Sequence, residues 1–228
     1  VAENEINQEG DSMTLGLIGK KLGMTQIFDK EGVLIPVTLI EAGPCPILQK
    51  KEKGKHGYCA LQLGFDKKPE RLVSKPESGL FKKINLAPTR IIREFRVDDS
   101  SSYELGQALD VSIFEEGERV NVEGVSKGRG FQGTIKRWHG HRGPESHGSK
   151  YHRGVGSMGG SSDPSRVRKG KKMPGQMGNK QRTMLNLKVI GMQKDKNIIM
   201  VKGSIPGHTN AYVLICKKQK KEAKAAKR

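Results

Sequence analysis

The stretch from Ser126 to Arg182 cannot fold by burying its own side chains. Its 57 residues include thirteen glycines and neither alanine nor leucine. Its large apolar residues are Phe131, Ile135, Trp138, Tyr151, Val155, Met158, Val167, Met173 and Met177. These few cannot offset a backbone ordering cost of roughly 1–2 kcal/mol per residue. The stretch is therefore expected to lack a core, to be mobile when alone and to take its shape from a partner.

Charge indicates the chemistry of that partner. Within the stretch fourteen Lys/Arg face only Glu145 and Asp163, a net +12. From Lys217 to Arg228 seven bases face Glu222, a net +6. Together these segments hold the whole formal charge of +18, and the other 159 residues carry 21 bases and 21 acids. A neutral body with two basic appendages is the pattern of a polyanion binder. Glycine lets backbone approach a surface closely, lysine neutralises phosphates, and arginine adds two-pronged planar contacts.

The 228 residues suit one domain with a large insertion, or two small ones. The body reads as β. Strand candidates before the basic stretch are Thr14–Ile18, Thr25–Phe28, Leu34–Ile40, Ile47–Lys51, Tyr58–Phe65, Ile91–Val97, Leu109–Phe114 and Arg119–Val125. After it come Leu185–Met192, Asn197–Val201 and Tyr212–Cys216. Asp29–Gly32 and Lys194–Asn197 are hairpin-turn candidates, and Gly203–Gly207 a looser turn. So many short strands suggest a small closed barrel, because closure removes exposed edges. Pro76–Leu86 is the one helix candidate, with Leu80, Phe81 and Ile84 on a shared face.

The expected organisation is therefore mainly β, a closed barrel with a long, mostly irregular basic arm inserted. Residues 1–12 form an acidic tail expected to be disordered, 13–125 and 183–216 the barrel body, 126–182 the arm and 217–228 a basic tail. The acidic start, with Glu3, Glu5, Glu9 and Asp11, is the reverse of a signal peptide. No run of about 18 apolar residues is present. Cys45, Cys59 and Cys216 are odd in number and widely spaced, which suits buried free thiols rather than disulfides or zinc.

Several near-motifs fall inside the arm. Gly128-Arg129-Gly130-Phe131-Gln132-Gly133 has dinucleotide-binding spacing, but no βαβ unit surrounds it, so a flexible basic loop is the better reading. Gly143–Lys150 approaches a phosphate-binding loop with its last two residues inverted. His139, His141, His147 and His152 could ligate zinc, yet neighbouring cations disfavour a dication, and hydrogen bonding or stacking against RNA suits them better. Trp138, the only tryptophan, suits stacking on a splayed base. No nucleophile has an evident base and orienting partner, so neither catalysis, cofactor nor metal is expected.

The segment Phe114–Arg137 resembles the signature of the L-three family of large-subunit ribosomal proteins, of the bacterial or organellar type. The matching positions are Phe114, Asn121, Gly124, Ser126, Gly128-Arg129-Gly130, Gly133 and Arg137. Gly16–Thr25 resembles the family's opening. Lys136–Trp138, Gly156–Gly159 and Gly170–Gly178 resemble its arm, and Val201–Gly207 its closing turn. The resemblance runs from about Met13 to Lys218 and places the usual start at Met13. It implies a barrel like that of the translation-protein superfamily, and an arm threading into large-subunit rRNA toward the peptidyl transferase region. It further implies early binding near the 3′ end of that rRNA, nucleating assembly, with ribosomal proteins L-fourteen and L-nineteen as neighbours in a cytoplasmic ribosome. Some members carry a methylated glutamine before a Thr-Pro pair. Here Ser162 stands at that position, before Asp163-Pro164, which speaks against modification.

The candidate RNA contacts are Lys127, Arg129, Lys136, Arg137, Trp138, His139, His141, Arg142, Lys150, Arg153, Arg166, Arg168, Lys169, Lys171, Lys172, Lys180 and Arg182. Glycines expected to let backbone approach RNA are Gly128, Gly130, Gly133, Gly156, Gly159, Gly175 and Gly178. The rival readings are a metal-dependent nuclease using the histidines and a free RNA chaperone. Zinc analysis with a cleavage assay tests the first, and co-sedimentation with large subunits tests the second.

Overall fold

The structure is a computed structural model and describes residues 15–218. The acidic tail, Met13 and Thr14 at the expected start of the body, and residues 219–228 of the basic tail lie outside the described residues. The chain divides into two compact units, Ser126–Gln181 and the chain on either side of it. The fold is mainly β, with a closed six-stranded barrel in the larger unit.

Strands β1 (Gly16–Phe28) and β2 (Leu34–Ala42) form a hairpin. Its turn is the expected one: Gly32 N–H donates to the Asp29 carbonyl at 2.9 Å. The reading of two separate runs for β1 is corrected. Lys20–Gly23 carries no clean alternation, and the structure passes through it with a register shift between Lys21 and Gly23. Such a bulge inserts a residue and displaces the period-two pattern, so the strand continues where the pattern lapses.

The strands expected to complete one barrel divide into two sheets. The chain between β2 and the arm forms β3 (Cys45–Lys51), β4 (Ala60–Lys67), β5 (Thr89–Arg96) and β6 (Ala108–Leu109). These make a separate sheet in the order β5-β4-β3-β6. Their buried apolar residues, such as Leu61 and Leu63, give the same signal as those of barrel strands, and periodicity alone cannot tell the two apart. Leu61, Leu63, Phe65 and Phe95 of this sheet share one apolar cluster with Leu17, Ile18 and Ile40 of the barrel. The expected strand Leu109–Phe114 is also corrected. After Leu109 the chain turns into a 3₁₀ segment, Val111–Ile113, which buries Val111 and Phe114 three residues apart.

Two helices connect strands in this sheet. The first, α1 (Lys53–His56), is a single turn between β3 and β4. The second, α2 (Lys75–Lys83), is the expected helix, ended early by Asn85 at φ 50°. Glu77 accepts from the Ser74 N–H at 3.4 Å and from Lys68 Nζ at 2.9 Å. The Lys68 hydrogen bond, with the Ser74 one, holds the Glu77 carboxyl below its usual range. Of the three apolar residues on its face only Phe81 is fully buried.

Beyond β7 (Arg119–Val125) lie the arm strands β8 (Gly130–Gln132) and β9 (Gly175–Met177). They are followed by β10 (Gln181–Gln193), β11 (Ile198–Lys202) and β12 (Tyr212–Lys217). The barrel closes in the order β1-β12-β7-β10-β11-β2. Gly16 pairs with Cys216, and Val213 pairs with Gly124. Val120, Val122, Val189, Ile199, Val201, Val213 and Ile215 fill the interior in strict alternation. Asn197, in the left-handed region at φ 52°, makes the β10–β11 turn.

All three cysteines are free, Cys45 fully buried and the other two half-buried. Burial pushes the Cys45 thiol up to about 12, and Cys216 to about 11, with Glu123 adding to the latter.

Lys21 is buried and donates to the Ile205 carbonyl at 2.9 Å and the Gly207 carbonyl at 3.2 Å, fixing the loop between β11 and β12. Hydrogen bonds from a charged donor contribute about 1.5–3 kcal/mol each, and stranded buried carbonyls add a further cost. Lys21→Met keeps the aliphatic stem and removes the donor. It should lower stability by roughly 2–4 kcal/mol in urea unfolding followed by far-UV circular dichroism. An unchanged midpoint would show that the loop is held by other means.

Candidate nucleic-acid interface

Sequence composition denies the arm a core, and its structure has none. Of residues 126–181 only Thr134 is buried. What orders it is hydrogen bonding. At its base Ser126 N–H donates to the Lys180 carbonyl at 2.9 Å, Ser126 Oγ donates to the same carbonyl at 3.0 Å, and Lys180 N–H donates back to Ser126 Oγ at 3.2 Å. Beyond this clasp β8 and β9 pair antiparallel, Gly130 with Met177, Phe131 with Gln176 and Gln132 with Gly175. The flexible loop expected at Gly128–Gly133 is thus corrected to the first strand of a ribbon stem. Helix α3 (Thr134–Trp138) follows, with Gly133 as its N-cap and left-handed His139 as its C-cap.

That short helix was not legible in the sequence, and its cause is a long-range lock. Arg137 Nη1 and Trp138 Nε1 both donate to the Met173 carbonyl, at 2.7 and 2.9 Å. The Arg137 guanidinium also lies 5.1 Å from the centre of the Trp138 ring. Two residues expected to touch RNA therefore first hold the two sides of the arm together. Arg137 is the only half-buried base among the candidates in the arm.

Gly130, Gly156, Gly159 and Gly178 hold positive φ values that strain any other residue, and Gly175 and Gly178 also meet close neighbours within the arm. A Cβ on Gly175 would meet Arg137 Nη1 at 2.6 Å. Gly178, at φ 72°, would place a Cβ on the Lys127 carbonyl. Gly130, Gly133 and Gly156 open onto free space, while Gly128 has Asn179 and Gly159 has the Arg166 carbonyl within 4 Å of an added Cβ.

The remaining cations are displayed rather than used internally. Lys127, Arg129, Lys136, Lys150, Arg153, Arg166, Arg168, Lys169, Lys171, Lys172 and Lys180 are exposed. Arg182 is exposed too, at the start of the larger unit. Within the arm the one ion pair among the described residues joins Arg142 to Glu145. So many like charges held on a structure without a core repel one another, and an incoming polyanion relieves that repulsion.

The histidines are not gathered. His139 caps α3, and His152 Nδ1 hydrogen-bonds the Pro144 carbonyl at 2.8 Å. Among the described residues no group of three or more His, Cys, Asp or Glu is placed to hold a metal. In the Gly143–Lys150 segment Gly143 N–H donates to the His152 carbonyl at 3.0 Å, and no helix follows. Phe131, on β8 and 76% exposed, is a stacking candidate that the sequence reading passed over. A large aromatic between glycines in a basic segment was the available signal.

Among the described residues no helix is long and apolar enough to cross a membrane. Residues 100–197 match the family model described as ribosomal protein L3, a span that contains the entire arm with β7 and β10 on either side. A closed barrel interrupted by a coreless cationic ribbon, matched over that ribbon and its flanking strands, makes residues 100–197 of the chain similar to the ribosomal protein L3 family.

Proposed function

We propose that the chain is a primary binder of large-subunit rRNA, and that its arm, Ser126–Arg182, enters the folded RNA. The observation that carries this is a unit with one buried residue and a surface of uncompensated cations. Such a unit gains its tight packing from what it binds. The ribbon stem and the Arg137–Trp138–Met173 lock present Lys and Arg to phosphates, while Phe131 and the outer face of Trp138 are available to bases.

The finer reading follows from the family resemblance. Binding occurs early, near the 3′ end of the rRNA, and nucleates subunit assembly. The arm reaches toward the peptidyl transferase region, the body lies beside ribosomal proteins L-fourteen and L-nineteen, and the protein works in cytoplasmic ribosomes. The role is one of scaffold, with neither catalysis nor cofactor.

If ~6–8 arm cations neutralise phosphates, the log–log dependence of affinity on salt should have a slope of very roughly −5. A filter-binding titration with deproteinised large-subunit rRNA measures it. A slope near −1 would contradict an interface dominated by phosphates.

A further inference from the structure

The balanced charge of the body conceals a segregation. From Lys53 to Arg96 there are eleven Lys/Arg and four acids, whereas from Val97 to Val125 there are one base and eight acids. The basic half contains α2, anchored by buried Phe81. Away from Phe81, Lys75, Gly79, Lys82 and Lys83 are all exposed, and spacings of three and four put them on one side of the helix. Lys68–Glu77 is the ion pair at this helix, and the three lysines have none among the described residues.

Gly79 is the informative residue. It stands in the interior of a nine-residue helix. A Cβ built there would meet nothing within 4 Å, and its φ is not in the left-handed region. Neither packing nor backbone conformation calls for glycine, and glycine is the weakest helix former after proline. The fold alone would be better served by alanine. A bare backbone flanked by three uncompensated lysines fits a surface that must come close to the helix and is anionic.

We infer that this face of α2 is a second RNA contact, outside the arm. Lys75, Lys82 and Lys83 neutralise phosphates, and Gly79 lets the sugar–phosphate backbone lie against the helix. The inference rests on the reading of the chain as an rRNA binder.

Two variants of the full chain test it against deproteinised large-subunit rRNA. Lys75→Gln/Lys82→Gln/Lys83→Gln should make the salt slope shallower by about 2–3. Gly79→Leu should raise the thermal midpoint of the free protein, because it favours helix, and yet weaken RNA binding at least about tenfold. A Gly79→Leu protein that is more stable and binds as wild type overturns the inference, as does an unchanged slope in the triple variant. The latter result would fit an acidic protein partner instead. Both outcomes leave the proposed function standing if an arm variant, Lys127→Gln/Arg129→Gln/Lys136→Gln, still flattens the slope. A wild-type slope near −1 removes the proposed function and this inference together.

Discussion

Replacing Lys127–Lys180 with a short glycine-serine linker should leave a cooperatively folding body and abolish tight rRNA binding. The two halves of this expectation rest on different observations. The apolar core that folds the larger unit, from Leu17 to Ile215, contains no residue of the arm. The arm itself buries only Thr134, so its removal deletes no core. The closure is short, because Ser126 and Lys180 are already joined by a backbone hydrogen bond and by two through the Ser126 hydroxyl. No core contact is lost and loop closure becomes cheaper by about 2 kcal/mol, so the thermal midpoint should hold or rise by a few degrees. Binding should fall by at least about a thousandfold, since each lost phosphate contact forfeits its counterion release. Calorimetry reads the first half and filter binding the second. Loss of the cooperative transition would mean that the arm is part of the folding unit. Unchanged affinity would mean that the body alone recognises the RNA.

The division into body and arm was legible because it is a matter of composition. A segment with thirteen glycines and no leucine differs from its flanks without any alignment. The strands β7 and β12 were legible because Val120-Val122 and Val213-Ile215 alternate cleanly. The split into two sheets was not. Leu61-Leu63 and Val213-Ile215 carry the same period-two signal, and which sheet a strand joins is decided by partners distant in the chain. In the arm the cations were evident as types and their roles were not. Arg137 reads like Lys136, and only the position of the Met173 carbonyl makes one an internal tie and leaves the other exposed. Gly178 likewise reads like Gly130, yet the first is hemmed in by Lys127 and the second opens onto space. Long-range backbone placement distinguishes these pairs, and sequence spacing does not report it.

That distinction yields the second large effect. Gly178→Val should open the arm's stem while leaving the body intact. At φ 72° a β-branched side chain is strongly disfavoured, and its Cβ would fall on the Lys127 carbonyl. The next residue, Asn179, is also left-handed at φ 51°, so the chain cannot relieve the clash by shifting the strain forward. The nearest escape is to break the hydrogen bonds beside it, Arg129 N–H to the Met177 carbonyl and Asn179 N–H to the Ser126 carbonyl. Backbone strain and lost hydrogen bonds together should cost about 3 kcal/mol or more. If the stem must be formed in the bound state, rRNA affinity falls by about a hundredfold or more. Gly130→Ala is the matched control: its φ of 66° carries strain, but no neighbour obstructs the added methyl, so its loss should be about tenfold or less. Amide hydrogen exchange at Arg129 should accelerate in the Gly178→Val protein and much less in the control. Wild-type affinity in Gly178→Val would mean that the RNA shapes the arm without the ribbon. The clasp at Ser126–Lys180 would then be incidental to binding.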